Sequence, residues 1–177
     1  MRDDAVPAEL RPLATLFACH QQIGRRCETL AGLVPYLEQR GADEEMRAGA
    51  ATVIRYFDMA TLQYHADEEV DLFPALLEST AGSDPVCLRA LTQLLSAEHC
   101  ELESRWRRLR KVLAAVARGD AAMLASADVK GFVDLYARHL QREDRELLPM
   151  AGRLLGCAEL DAVGRAMRER QGIIAVD

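Results

Sequence analysis

Aromatic side chains make up only 5% of this 177-residue chain, and no apolar run reaches the roughly 18 residues that a membrane-crossing helix needs. The opening stretch, Met1 to Pro7, is short and acidic where a secretion signal is basic and then apolar. A cytoplasmic protein that does not enter a membrane is therefore expected. Positive charge is in deficit: the formal net charge of -6 argues against a nucleic-acid surface, which needs clustered Lys and Arg to neutralise phosphates. One basic run, Arg105, Arg107, Arg108, Arg110 and Lys111, interleaves with Trp106, Leu109 and Val112 and reads as a solvated helix face. The five cysteines, Cys19, Cys27, Cys87, Cys100 and Cys157, are odd in number and form no C-x-x-C pair, which suits reduced thiols better than a disulfide framework. They read mostly as small apolar packing residues.

What is present is helical. Half of the residues are apolar, enough for a substantial core, and Ala, Leu, Glu and Arg dominate, a balance that favours helix over strand. The expected fold class is all-α: an up-down-up-down four-helix bundle at about residues 8–155 with a short C-terminal helix at about 157–170, in one domain spanning 1–177. Helix one is read from about Ala8 to Arg40, with Leu13, Leu16, Phe17, His20, Ile23, Cys27, Leu30, Val34 and Leu37 facing inward and Pro35 kinking the last turn. Helix two follows Gly41, with Asp43 as N-cap and Glu44 and Glu45 in its first turn. It runs to about Ser79 and turns Met46, Ala50, Val53, Phe57, Thr61, His65, Glu69, Leu72 and Leu76 inward, with Pro74 perturbing its final turns.

Helix three has the sharpest punctuation, since Gly82-Ser83-Asp84-Pro85 supplies a stop, a cap and a first-turn proline. Its seam, Leu88, Leu91, Leu95, His99, Leu102, Trp106, Leu109, Leu113 and Val116, is nearly a heptad repeat with a histidine in one core position. Helix four restarts near Ser126 after Gly119-Asp120 and carries Val129, Phe132, Tyr136, His139, Glu143, Leu147 and Met150 inward, with Pro149 past the charged segment. The short last helix places Leu160, Val163 and Met167 across one bundle end, and Gly172 to Asp177 reads as a tail.

The four histidines are spaced almost symmetrically about three glycines. The midpoints of His20 and His65, of His65 and His99, and of His99 and His139 fall at positions 42.5, 82 and 119, beside Gly41, Gly82 and Gly119. If each glycine reverses the chain, a rise of about 1.5 Å per residue returns all four imidazoles to nearly one height. Two related segments reinforce this level: His65-Ala-Asp-Glu-Glu69 before Pro74, and His139-Leu-Gln-Arg-Glu143-Asp144 before Pro149. A carboxylate four residues after a histidine shares its helix face, so one turn offers nitrogen and oxygen donors together. Burying four imidazoles and several carboxylates at one level without a cation is costly. The mixed donor set, without thiolate pairs, suits iron or manganese at two centres better than a structural zinc tetrahedron.

These residues, His20, then His65-x-x-x-Glu69 with Leu72-Phe73-Pro74, then His99, then His139-x-x-x-Glu143 with Leu147-Leu148-Pro149, resemble the hemerythrin-like HHE cation-binding family over about residues 8 to 155. The resemblance implies a non-haem centre of two iron ions, ferrous or ferric and open to an oxo or hydroxo bridge, with manganese or zinc ranked behind iron. It implies His20 and His65 on one iron and His99 and His139 on the other, bridged by Glu69 and by Glu143 or Asp144, of which Glu143 keeps to the histidine's face. Oxygen-carrying hemerythrins have HxxxH on helix three. Here that motif becomes His99-x-x-x-Glu103: either Glu103 binds, adding negative charge and crowding the open position, or one iron has fewer protein ligands.

The pattern is closer to repair-of-iron-centres proteins and iron or oxygen sensors than to oxygen carriers. The resemblance implies a protein that meets a small diatomic or peroxide ligand, whether as a sensor, a peroxidase-like, catalase-like or iron-centre repair enzyme, or a reversible binding and storage module. Tyr136, one turn before His139, and Tyr64, beside His65, are the candidate catalytic side chains, each read against an ordinary buried tyrosine. Cys19 and Cys100 adjoin histidines and read as packing residues, while Glu68 and Glu101 are expected to face outward.

Overall fold

The structure, a computed structural model, describes residues 12–79, 85–120 and 122–172. Among these the elements are helical throughout: α1 Pro12–Arg40, α2 Glu44–Ala66, α3 Phe73–Ser79, α4 Pro85–Arg118, α5 Ser126–Arg142, α6 Leu148–Leu154 and α7 Cys157–Arg170. Two π-helical segments, Asp67–Leu72 and Glu143–Leu147, join α2 to α3 and α5 to α6. The expected start of helix one at Ala8, the Gly82-Ser83-Asp84 punctuation, the inward side chain of Thr61 and the tail beyond Gly172 lie outside the described residues.

Local chemistry sets the helix ends. Met46 N–H donates to Asp43 Oδ1 at 2.8 Å, the N-cap bond expected from the sequence. At the other end of α4, the N–H of Gly119 donates to Val116 O at 2.9 Å and that of Asp120 to Ala115 O at 3.0 Å. This pairing is a Schellman stop, and Gly119 occupies its left-handed position at φ 81°. Gly41 ends α1 in the same conformation, at φ 72°.

The prolines act one turn earlier than the sequence suggests. Each π segment ends with the residue before a proline donating five residues back: Phe73 N–H to Glu68 O, and Leu148 N–H to Glu143 O. Proline has no N–H, and its ring crowds the carbonyl four residues before it; widening the preceding turn relieves that clash. Pro74 and Pro149 therefore reshape the charged segments themselves, rather than only the final turns.

The chain divides into two compact units, the first comprising Met1–His20, Gln63–Ser96 and Gln141–Asp177, the second Gln21–Leu62 and Ala97–Leu140. The first unit has an aliphatic core in which Leu16, Leu72, Leu76, Leu95, Leu147 and Ala151 are wholly buried, and Val163 and Met167 bring α7 into it. The second has an aromatic core: Phe57 lies 4.9 Å from Trp106 and 5.3 Å from Phe132, ring centre to ring centre. Trp106 satisfies its indole N–H on Asp58 at 3.0 Å, and Arg110 pairs with the same carboxylate. Full burial of each such Leu or Phe contributes about 1.5–3 kcal/mol relative to exposure.

The seam of α4 from Leu88 to Val116 is buried along its length, as its spacing requires. Phe17 departs from expectation. It is 45% exposed, because it follows buried Leu16 by one residue and so lies about 100° around the helix from the 3–4 stripe. Only Cys19 and Cys27 are buried; Cys87, Cys100 and Cys157 are exposed, so packing accounts for two thiols rather than most of them.

Candidate metal centre

All four histidines are buried, as are Glu68 and Glu143. In the first unit His20, on α1, meets a ring of acids. Its Nε2 lies 3.3 Å from Glu143 Oε2 and 3.8 Å from Glu68 Oε1, while Nδ1 on the opposite edge donates to Asp144 Oδ1 at 2.7 Å. Burial opposes charge on this imidazole, but Glu68, Glu143 and Asp144 together outweigh it and raise the His20 pKa to about 9. The position draws positive charge strongly.

In the second unit the Nε2 atoms of His99 and His139 approach to 3.1 Å, with both rings 1% exposed. Nδ1 of His139 donates to Glu98 Oε2 at 2.9 Å, which places the ring proton on that edge and leaves the Nε2 lone pair facing His99. Two imidazoles on one ion, each with a metal–nitrogen bond of about 2.0–2.1 Å, have nitrogens about 2.9–3.4 Å apart. The observed separation fits that range.

In the first unit His65, Glu68 and Glu143 are buried groups that could each offer a ligand atom, as are His99 and His139 in the second. Within the first unit His20 has carboxylates as its near neighbours. Glu143 is buried and Asp144 is 31% exposed; the two divide between them the two edges of His20. Glu103 is half-buried and is not among these buried groups.

The largest correction concerns helix two. Glu69, expected to face inward, is exposed, and Glu68, expected to face outward, is 2% exposed and lies 3.8 Å from His20 Nε2. Counting four residues from each histidine gives Glu69 and Glu143. Counting back six from each proline gives Glu68 from Pro74 and Glu143 from Pro149, and this second register matches the two π segments. The proline spacing was the available signal, because the ring that widens the turn also fixes which residue precedes it.

Around these groups, Tyr136 is buried with its ring centre 6.3 Å from that of His139. Tyr64 is half-buried and hydrogen-bonds the Cys19 thiol, whose pKa burial nonetheless pushes up. Cys100 is exposed, and Glu101 faces solvent in a pair with Arg105 as expected. Two contributors escaped the sequence reading. Glu98 carried no spacing signal, and Asp67 is wholly buried against Arg170 of α7.

The chain matches the hemerythrin HHE cation binding domain over residues 11–151, and it belongs to that family. Its fold is accordingly a hemerythrin-like all-α bundle followed by α7; the family binds cations, and the chain carries buried His and Glu side chains of the kind that hold them. An uncharacterized protein of Haemophilus influenzae (strain ATCC 51907 / DSM 11121 / KW20 / Rd) is 26% identical over 162 residues, 92% of this chain and 91% of that one. No helix among the described residues is long and apolar enough to cross a membrane.

Proposed function

We propose that this is a non-haem di-iron protein that reacts with or senses a small oxidant: dioxygen, nitric oxide or peroxide. The observation that carries the reading is the approach of His99 and His139 Nε2 to 3.1 Å in one unit, with His20 held against buried Glu68 and Glu143 in the other, nitrogen and oxygen donors without thiolate. Imidazoles with carboxylates suit iron or manganese better than a Cys-rich zinc site. His65, His99, His139, Glu68 and Glu143 would hold the ions, with His20 adding its Nε2 beside Glu143. Iron held there would supply redox chemistry toward such molecules.

The chain's own residues prepare that centre. Glu98 holds the proton of His139 on Nδ1, which turns its Nε2 toward His99, and Asp144 holds that of His20 on Nδ1, which turns its Nε2 toward Glu68 and Glu143. Glu68 and Glu143 offset cation charge in a place where water is scarce. Tyr136, 1% exposed, packs on the His139 side and helps to keep solvent out.

Metal analysis followed by stopped-flow mixing of the ferrous protein with dioxygen and with peroxide tests the reading. About two irons per chain and rapid spectral change are expected. Sustained turnover marks an enzyme, and a reversible spectrum marks a binding or storage module. Protein purified without chelator that holds no iron refutes the proposal.

A further inference from the structure

Helix α7 lies beyond the family match at residues 11–151, yet it reaches the segment that carries Glu68. Its last residue, Arg170, donates through one guanidinium nitrogen to Asp67 Oδ1 and through the other to Asp71 Oδ2 at 2.7 Å. Both acids belong to the first π segment. Asp67 is 0% exposed, so its charge depends on a partner supplied by the protein, and Arg170 is the cation in contact with it. Val163 and Met167 of the same helix pack in the core with Leu72 and Phe73. One helix therefore grips the π turn twice, by charge on one side and by apolar contact on the other.

A π turn is a rare local widening of an α-helix, and this one lies between α2 and α3. In this one Asp67 and Glu68 are consecutive and buried, and the Glu68 carboxylate faces His20 Nε2 at 3.8 Å. The anchoring of Asp67 thus sets where Glu68 points. We propose that Arg170 is a positioning residue: through Asp67 and Asp71, α7 clamps the π turn so that Glu68 stays at the metal centre. The clamp's effect on metal rests on the di-iron reading, while its effect on the turn does not.

The test uses the full chain with Arg170→Gln, the double variant Asp67→Asn with Arg170→Gln, and Arg165→Gln as an exposed control on the same helix. Hydrogen exchange of the metal-free proteins reads the turn, and chelator competition for iron reads the centre. Arg170→Gln is expected to speed exchange at residues 67–73 with little change along α4, and to weaken iron binding about 10- to 100-fold, the range for groups that orient a ligand. The double variant removes the buried charge together with the clamp, so it should still exchange faster and bind iron more weakly than the wild type, whereas recovery of both would show that Arg170 only neutralises Asp67 and would overturn the clamp; Arg165→Gln should resemble the wild type.

Unchanged exchange overturns the clamp. So does faster exchange without weaker binding, since α7 would then only stabilise the fold. If the wild type holds no iron, the di-iron reading fails by itself, and the clamp is judged by exchange in the π turn.

Discussion

His20 Nδ1 donates to Asp144 Oδ1 across 2.7 Å, and Asp144 directly follows Glu143, whose carboxylate faces the other edge of the same ring. Adjacent acids on one helix thus grip both nitrogens of an imidazole on another. His139 is held in a related way, since Glu98, its Nδ1 partner, directly precedes His99. A carboxylate that fixes the remote nitrogen of a ligand contributes to affinity without touching the metal.

Asp144→Asn should therefore weaken metal binding about 10- to 100-fold while leaving the helical content intact. Chelator competition with circular dichroism on the same samples checks it. Unaltered affinity would mean that Asp144 is a surface acid with no hold on the site.

Glu68 and Glu69 make a direct comparison, being neighbours with opposite burial. Glu68→Gln is expected to lower iron content by up to one ion per chain, whereas Glu69→Gln should stay close to wild type. Elemental analysis of both variants decides. The reverse order would restore the register counted from His65.

In metal-free protein the raised His20 pKa, about 9 against 6.5 for an ordinary histidine, couples protonation to folding. The folded state holds the proton more tightly than the unfolded state, so this contribution is complete below pH 6.5 and is lost as pH climbs through about 9. The melting-temperature difference between chelated wild type and chelated His20→Asn should shrink over that interval. A difference that is constant with pH would show that the acids around His20 do not act on it.

The fold and the burial of all four histidines could be read from the chain because helical rise and periodicity are rigid rules. The stripe from Leu88 to Val116 and the capping acid Asp43 obey them. The register of helix two could not be read that way, because Pro74 converts an α turn into a π turn and moves the buried acid from Glu69 to Glu68. Glu98 and Arg170 were invisible for another reason. Their partners, His139 and Asp67, are 41 and 103 residues away, and periodicity along one helix carries no information about a partner on another.

Removing metal should also cost stability, since a ligand that binds only the folded state adds about 2.7 kcal/mol at a hundred times its dissociation constant. For a chain of this length that corresponds to roughly 5–10 °C per ion. Calorimetry before and after chelation measures it, and an unmoved melting temperature would argue that no ion is held by the folded core.

The most direct measurement is anomalous diffraction from crystals of the iron-loaded protein at the iron edge. Two peaks are predicted, one touching Nε2 of His99 and His139 and one beside His20 and Glu143. An absence of anomalous density among these side chains, or iron held only at exposed groups elsewhere, would contradict the assignment.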